Sequence, residues 1–142
     1  MTVTLREWLS TDIDDLCVLA NNKKIADNLR DRFPFPYTKT DAENWVKLNK
    51  DTNPPDNFSI VYNGKLAGGC GVMLKEDVYK LTAEVGYWIA EPYWDYGIAT
   101  EAVKQLLVYV RQIFPHIIRI YAEVFAPNKA SMRVLEKNNF QL

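Results

Sequence analysis

The chain has 142 residues, of which 48% are hydrophobic and 25% charged; this suits one globular domain over 1–142, with apolar material for a core that needs no metal or disulfide staple. Its formal net charge of −1 gives no pull toward nucleic acid or an anionic membrane, no apolar run is long enough to span a bilayer, and no basic segment leads into an apolar stretch as in a secretory signal. Cys17 and Cys70 lie among apolar neighbours without metal-ligand spacing, so the expectation is a reduced, cytoplasmic protein without a bound metal.

Thr2 to Trp8 alternates and predicts a first strand. Ser10 or Thr11 is positioned to cap a helix whose first turn carries Asp12, Asp14 and Asp15. Ile13, Leu16, Cys17, Leu19 and Ala20 form its apolar stripe, and Asn21-Asn22 ends it. A short helix is expected over Lys24 to Arg30. Two prolines in Phe33-Pro34-Phe35-Pro36-Tyr37 forbid a helix. The three aromatics of this loop either cap the core or wall a substrate cleft. Thr40-Asp41-Ala42-Glu43 reads as a capping box opening a helix through Trp45, Val46 and Leu48.

After the loop Thr52 to Asp56, strands are expected at Phe58 to Tyr62 and Lys65 to Leu74, joined by a type I′ turn at Asn63-Gly64. Gly68, Gly69 and Gly71 point to a bulge or a close backbone approach. Tyr79 to Ala90 predicts another strand. Gly97 to Phe114 is the longest helix, with Ile98, Ala102, Val103, Leu106, Leu107, Val110 and Phe114 on one face and Pro115 as its stop. Ile117 to Phe125 and Lys129 to Asn138 predict a last strand and a last helix. The order describes an α/β (α+β) fold, a mixed sheet flanked by helices.

The chemistry concentrates between Glu84 and Val103. A strand leads through a short loop to a glycine that opens a long amphipathic helix. The N-terminus of such a helix offers unpaired N–H groups and a positive dipole end, which suit a pyrophosphate. Gly97 and Ala99 leave room for a phosphate to approach the backbone. The one histidine, His116, follows Pro115 in a turn, and no cluster of His and Cys suggests a metal site.

The run Trp94-Asp95-Tyr96-Gly97-Ile98-Ala99, followed by Thr100-Glu101-Ala102, resembles the signature of the GNAT superfamily of acetyl-CoA-dependent N-acetyltransferases. That signature has Gln or Arg, two residues, Gly, one residue, then Gly or Ala at a strand-to-helix turn. Trp94 departs from it at the first position. The flanking Tyr-Trp and Ala-Thr-Glu-Ala look like the branch that includes ribosomal-protein-alanine N-acetyltransferases, where glycine commonly stands at the position of Asp95. A carboxylate there weakens phosphate binding unless it points away. A second block, Glu123 to Ser131 followed by Val134 to Phe140, resembles the family's closing strand, Asn-x-x-Ser helix and Gly-Phe; Asn139 replaces the glycine, a mild change at a left-handed cap.

The resemblance implies the GNAT fold with a mostly antiparallel sheet. The family continues past Phe140 with two further strands, whereas this sequence stops at Leu142: it is a fragment, or a partner supplies the missing wall, or the cleft is open; an exposed sheet edge there would favour pairing, with a monomer or a homodimer as the expected states. It implies direct attack of a primary amine on acetyl-CoA in a ternary complex. CoA contacts fall on Tyr87, Trp88, Ile89, Trp94, Asp95, Tyr96, Gly97, Ile98, Ala99, Thr100, Asn128 and Ser131. Backbone N–H groups around Tyr87 to Ile89 serve the oxyanion. Glu123 is the first choice of base and Glu84 the second. The family's general-acid Tyr position holds Leu135, leaving Ser131 as the substitute. The acceptor is either a protein N-terminal α-amine or a small-molecule amine. The alternative is a non-catalytic acyl-CoA-binding or protein-interaction module.

Overall fold

The computed structural model describes residues 2–27, 33–122 and 129–141. Its sheet runs in the order β1 (Val3–Arg6), β2 (Asn57–Tyr62), β3 (Lys65–Leu74), β4 (Thr82–Ile89) and β5 (Arg119–Tyr121). The first four pair antiparallel and β5 lies parallel to β4. The helices are α1 (Ile13–Ala20), α2 (Lys23–Ala26), α3 (Lys39–Lys50), α4 (Ile98–Ile113) and α5 (Lys129–Lys137). The expected mixed, mostly antiparallel sheet flanked by helices is thus present.

One face of the sheet packs on α4. Its Ile98, Ala102, Val103, Leu106, Leu107 and Val110 are all buried and meet Val3, Ile60, Val72 and Val85 from the strands. Burying each of the larger side chains contributes roughly 1.5–3 kcal/mol. Phe114 follows as the C-cap, before Pro115. The opposite face carries α1 and α3 through Leu16, Ala20, Ala42 and Val46, with Trp8, Tyr37 and Leu66. The apolar stripes expected on α4 and α1 face the core, whereas on α3, of the expected Trp45, Val46 and Leu48, Val46 is buried and Leu48 points to solvent.

Local starts differ from expectation. No Ser10 or Thr11 side chain caps α1; a turn of 3-10 helix at Ser10–Asp12 precedes it. Asp12 instead accepts from the Leu9 N–H and twice from Arg6, each at 2.8 Å. Helix α3 begins two positions before the expected box. Thr38 is its N-cap, accepting from the Asp41 N–H at 3.2 Å while Asp41 accepts from the Thr38 N–H at 2.9 Å. Tyr37, just before this cap, is buried and anchors the entry. Strand β4 is shorter than the pattern suggested, β5 begins at Arg119 and not Ile117 while its expected end at Phe125 lies outside the described residues, and α2 is described only at Lys23–Ala26.

The Asn63-Gly64 turn has both residues at positive φ, 49° and 84°, as a type I′ hairpin requires. In β3 the pairing steps from Ile60↔Gly68 to Val61↔Leu66, so Ala67 is the extra residue of a bulge. Residues on either side of it therefore change faces: Leu66 packs toward α1 and α3, Cys70 and Val72 toward α4. A side chain at Gly68 would collide with the Trp88 carbonyl oxygen. Cys17 and Cys70 are free thiols, and burial pushes Cys70 up to about 12.

Candidate active site

Strand β4 delivers the chain into the loop that precedes α4. Glu91–Tyr93 makes one turn of 3-10 helix with Pro92 near its start. Trp94 then folds back, its indole N–H donating to the Ile89 carbonyl at 2.7 Å. Asp95 and Gly97 both adopt left-handed conformations, with φ 68° and 77°. Gly97 is the N-cap of α4, and no side chain caps the helix. The Glu101 N–H bonds back to the Gly97 carbonyl at 3.3 Å; the N–H groups of Ile98, Ala99 and Thr100 have no acceptor within the helix. Nothing lies within 4 Å of where a Gly97 Cβ would stand, so the approach is open. Ile98 is buried and anchors the turn, while Asp95 and Tyr96 are exposed at the loop tip. The arrangement presents N–H donors and a positive dipole end to an anion.

Two contacts between residues far apart in the chain hold this loop. Glu91 accepts from Asn22 at 2.8 Å and from Lys24 at 3.1 Å, tying the loop to the start of α2; the Asn22 hydrogen bond and then Lys24 hold its carboxyl below the usual range. Asn138 donates to the Thr100 carbonyl at 3.2 Å, joining the end of α5 to the first turn of α4. That end is closed by a Schellman pattern. Asn139, at φ 69°, donates to Glu136, and Phe140 to Leu135.

Pairing between β4 and β5 covers only Thr82 to Glu84 opposite Arg119 to Tyr121. Beyond Glu84, β4 runs on to Ile89 with no strand beside it on that flank among the described residues. Tyr87 and Trp88 therefore border an open groove of about 1850 Å³, which Phe33, Glu84, Gly86 and Leu135 also line. Tyr87 turns toward α5, where its hydroxyl donates to the Ser131 carbonyl at 3.4 Å. Burial raises the pKa of that hydroxyl, and the hydrogen bond with Ser131 partly offsets the rise. Trp88 points to the other face and meets Phe33 edge-on, with ring centroids 5.9 Å apart.

Of the two candidate bases, Glu84 lines the groove and has only 12% of its side chain exposed; its carboxylate lies 3.2 Å from the Lys75 ammonium. Lys75 sits 5.8 Å from the centre of the Tyr121 ring, and hydrogen bonding first to Tyr121 and then to Glu84 raises its pKa. Glu123 and Asn128 lie outside the described residues. Leu135 is buried. The three aromatics of the Phe33–Tyr37 loop have different surroundings. Tyr37 is buried in the core, Phe33 walls the groove and Phe35 is exposed. Among the described residues no cluster of His, Cys, Asp or Glu is placed to hold a metal ion, and no helix is long and apolar enough to cross a membrane.

Residues 2–141 match the family model of the acetyltransferase (GNAT) domain. A curated relative, the uncharacterized N-acetyltransferase p20 of Bacillus licheniformis, is 27% identical over 145 residues, which is 98% of this chain and 79% of that protein. Among solved structures, a GNAT-family acetyltransferase from Bacillus anthracis aligns with TM-score 0.82 at 20% identity, covering 99% of this chain and 81% of that one. The ribosomal L7/L12 alpha-N-protein acetyltransferase in complex with coenzyme A aligns with TM-score 0.84 at 22% identity, over 100% and 81% of the two chains. The spermidine N-acetyltransferase of Vibrio cholerae, with CoA and spermine, gives 0.76 at 22%, over 95% and 78%. At these identities the solved structures speak to the fold alone. The family match runs through the strand, the left-handed glycine and the uncapped helix just described, and this chain belongs to the GNAT acetyltransferase family.

Proposed function

We propose that the protein transfers the acetyl group of acetyl-CoA to a primary amine by direct attack in a ternary complex, in the cytoplasm. The observation that carries this reading is the uncapped N-terminus of α4, opened by left-handed Gly97 directly after β4. It offers the CoA pyrophosphate a backbone cradle. Related folds that hold coenzyme A support the same donor.

On this reading Trp94 to Thr100, with Asn128, hold the phosphates. The pantetheine arm lies along the unpaired flank of β4, and N–H groups of Tyr87 to Ile89 stabilise the oxyanion. Glu123 takes the proton from the ammonium, with Glu84 the second candidate, because only the neutral amine is a nucleophile. Ser131 helps the thiolate leave. The acceptor is a protein N-terminal α-amine or a small-molecule amine, and the protein works as a monomer or as a homodimer paired through the outer edge of β5.

Calorimetric titration with acetyl-CoA, followed by a CoA-release assay over an amine panel, tests the reading. Micromolar binding with turnover supports it. Binding without CoA release from any amine would sink it in favour of a non-catalytic acyl-CoA-binding module, for which the buried Leu135 at the usual acid position speaks. No binding at all removes the donor site.

A further inference from the structure

Glu84, Gly86 and Trp88 alternate along β4 onto the sheet face that also carries α1 and α3. Between the two large side chains stands a vacancy: among the described residues no atom lies within 4 Å of where a Gly86 Cβ would be. The vacancy has three built sides. Toward the donor loop stands the Trp88 indole with the Phe33 ring against it, centroids 5.9 Å apart. On the opposite side is the Glu84 carboxylate, 3.2 Å from Lys75. Across the strand pair, Gly71 faces Gly86, and the Asn57 side-chain amide lies over Gly71. Glu84, Gly86, Trp88 and Phe33 all line the one groove.

Charge narrows the occupant. The acidic residues lining this groove are Asp56, Glu84 and Glu136, against Arg111 and Arg119, and Glu84 already has an ammonium partner. A polyamine or a polyaminated sugar calls for several carboxylates facing its several cations, and the described lining has no such cluster. A flat apolar group, by contrast, finds a floor without a side chain and an edge-on aromatic wall.

We propose that the acceptor is a primary amine carried on a planar apolar body, seated over Gly86 with its ring against Trp88 and Phe33. This rests on the N-acetyltransferase reading above. The nitrogen reaches the flank of β4 beyond Glu84, which is open among the described residues. It forms the C–N bond to the acetyl carbon; the C–S bond breaks and its electron pair goes to sulfur. The proton lost by nitrogen passes to a carboxylate and by way of water to the CoA thiolate, so amine and acetyl-CoA give amide and CoA thiol.

The experiment compares kcat/KM for phenethylamine, a peptide beginning with Phe, spermidine and glucosamine at fixed acetyl-CoA. The full chain is used, with Gly86→Val and Gly86→Ala beside it. The aromatic amines are expected to be preferred by about ten- to hundred-fold, and the faster of the two tells a free amine from a peptide terminus. Gly86→Val fills the vacancy with a good strand former. It should erase the preference through KM, with acetyl-CoA affinity and Tm unchanged. Gly86→Ala gives the same direction at smaller size and stands as the readout if valine unfolds the strand. Faster turnover of spermidine or glucosamine, or a preference indifferent to both substitutions, overturns this inference and leaves the acetyltransferase reading intact. Acetyl-CoA binding with no amine consumed overturns both.

Discussion

The Glu84 carboxylate lies 3.2 Å from the Lys75 ammonium, with 12% and 24% of the two side chains exposed. Among the described residues Glu84 is also the last of β4 paired with β5, opposite Tyr121. On the proposed reading, a carboxylate so engaged orients the incoming amine and Glu123 accepts the proton. Glu123→Gln should lower kcat by about 10²- to 10⁴-fold, the usual range for losing a positioned base, and leave acetyl-CoA affinity unchanged. Glu84→Gln should act mainly on the acceptor KM. Steady-state kinetics on both variants decide the assignment: if the large kcat loss belongs to Glu84→Gln, the two roles are reversed.

Gly97 makes two separable demands. Its φ of 77° strains any other residue by about 1 kcal/mol, and its open surroundings let a phosphate approach. Gly97→Ala lets the free loop relax out of the left-handed conformation that binding must restore, and should weaken acetyl-CoA binding by about five-fold. Gly97→Glu adds bulk and a negative charge where the pyrophosphate belongs and should abolish measurable binding. Equal affinities for the two variants in calorimetry would show that no phosphate sits there.

Asp12 is buried and depends on Arg6. Burial alone would raise the pKa of its carboxyl, but the hydrogen bonds from Arg6 and from the Leu9 N–H outweigh burial and hold it below the usual value. The unfolded chain titrates near about 3.9. The stabilisation is thus fully present above that pH and is lost as pH falls through the depressed folded-state pKa. Because Arg6 keeps 38% of its side chain exposed, the pair is partly screened. Asp12→Asn should cost about 1–3 kcal/mol near neutrality and flatten the loss of stability in acid. Urea unfolding at neutral pH and near pH 3 measures both; parallel acid slopes for the two proteins would contradict the assignment.

What could be read in advance follows from the range of the physics. Helix α4, the Asn63-Gly64 turn and the Asn139 cap depend on neighbours in sequence, and each stands where the residues put it. The start of α3 was ambiguous because Thr38-Lys39-Thr40-Asp41 overlaps Thr40-Asp41-Ala42-Glu43; burial of Tyr37 favours the earlier frame, and burial is a tertiary fact. The Lys75–Glu84 pair and the vacancy over Gly86 come from strand register, which no local pattern carries. The turn into α4 was legible because a glycine before a long amphipathic helix is both a sequence signal and a structural one.

Ser131 lies in the first turn of the last helix, next to Tyr87, whose hydroxyl donates to the Ser131 carbonyl at 3.4 Å. If Ser131 assists departure of CoA, its value depends on how readily sulfur leaves unprotonated. A free thiol has a pKa of about 8.5. Below that pH a proton donor stabilises the leaving group; above it the thiolate is the preferred product and the donor adds little. Ser131→Ala should therefore lower kcat by about tenfold in neutral solution, at the weak end for general acids, and converge with the parent above about pH 9. Tyr87→Phe keeps the ring and removes only the hydroxyl, so it reports how far the hydrogen bond positions Ser131. A deficit for Ser131→Ala that stays constant across the pH range would mean that Ser131 shapes the start of α5 and gives no proton to sulfur, because a packing defect has no reason to vanish where the thiol ionises.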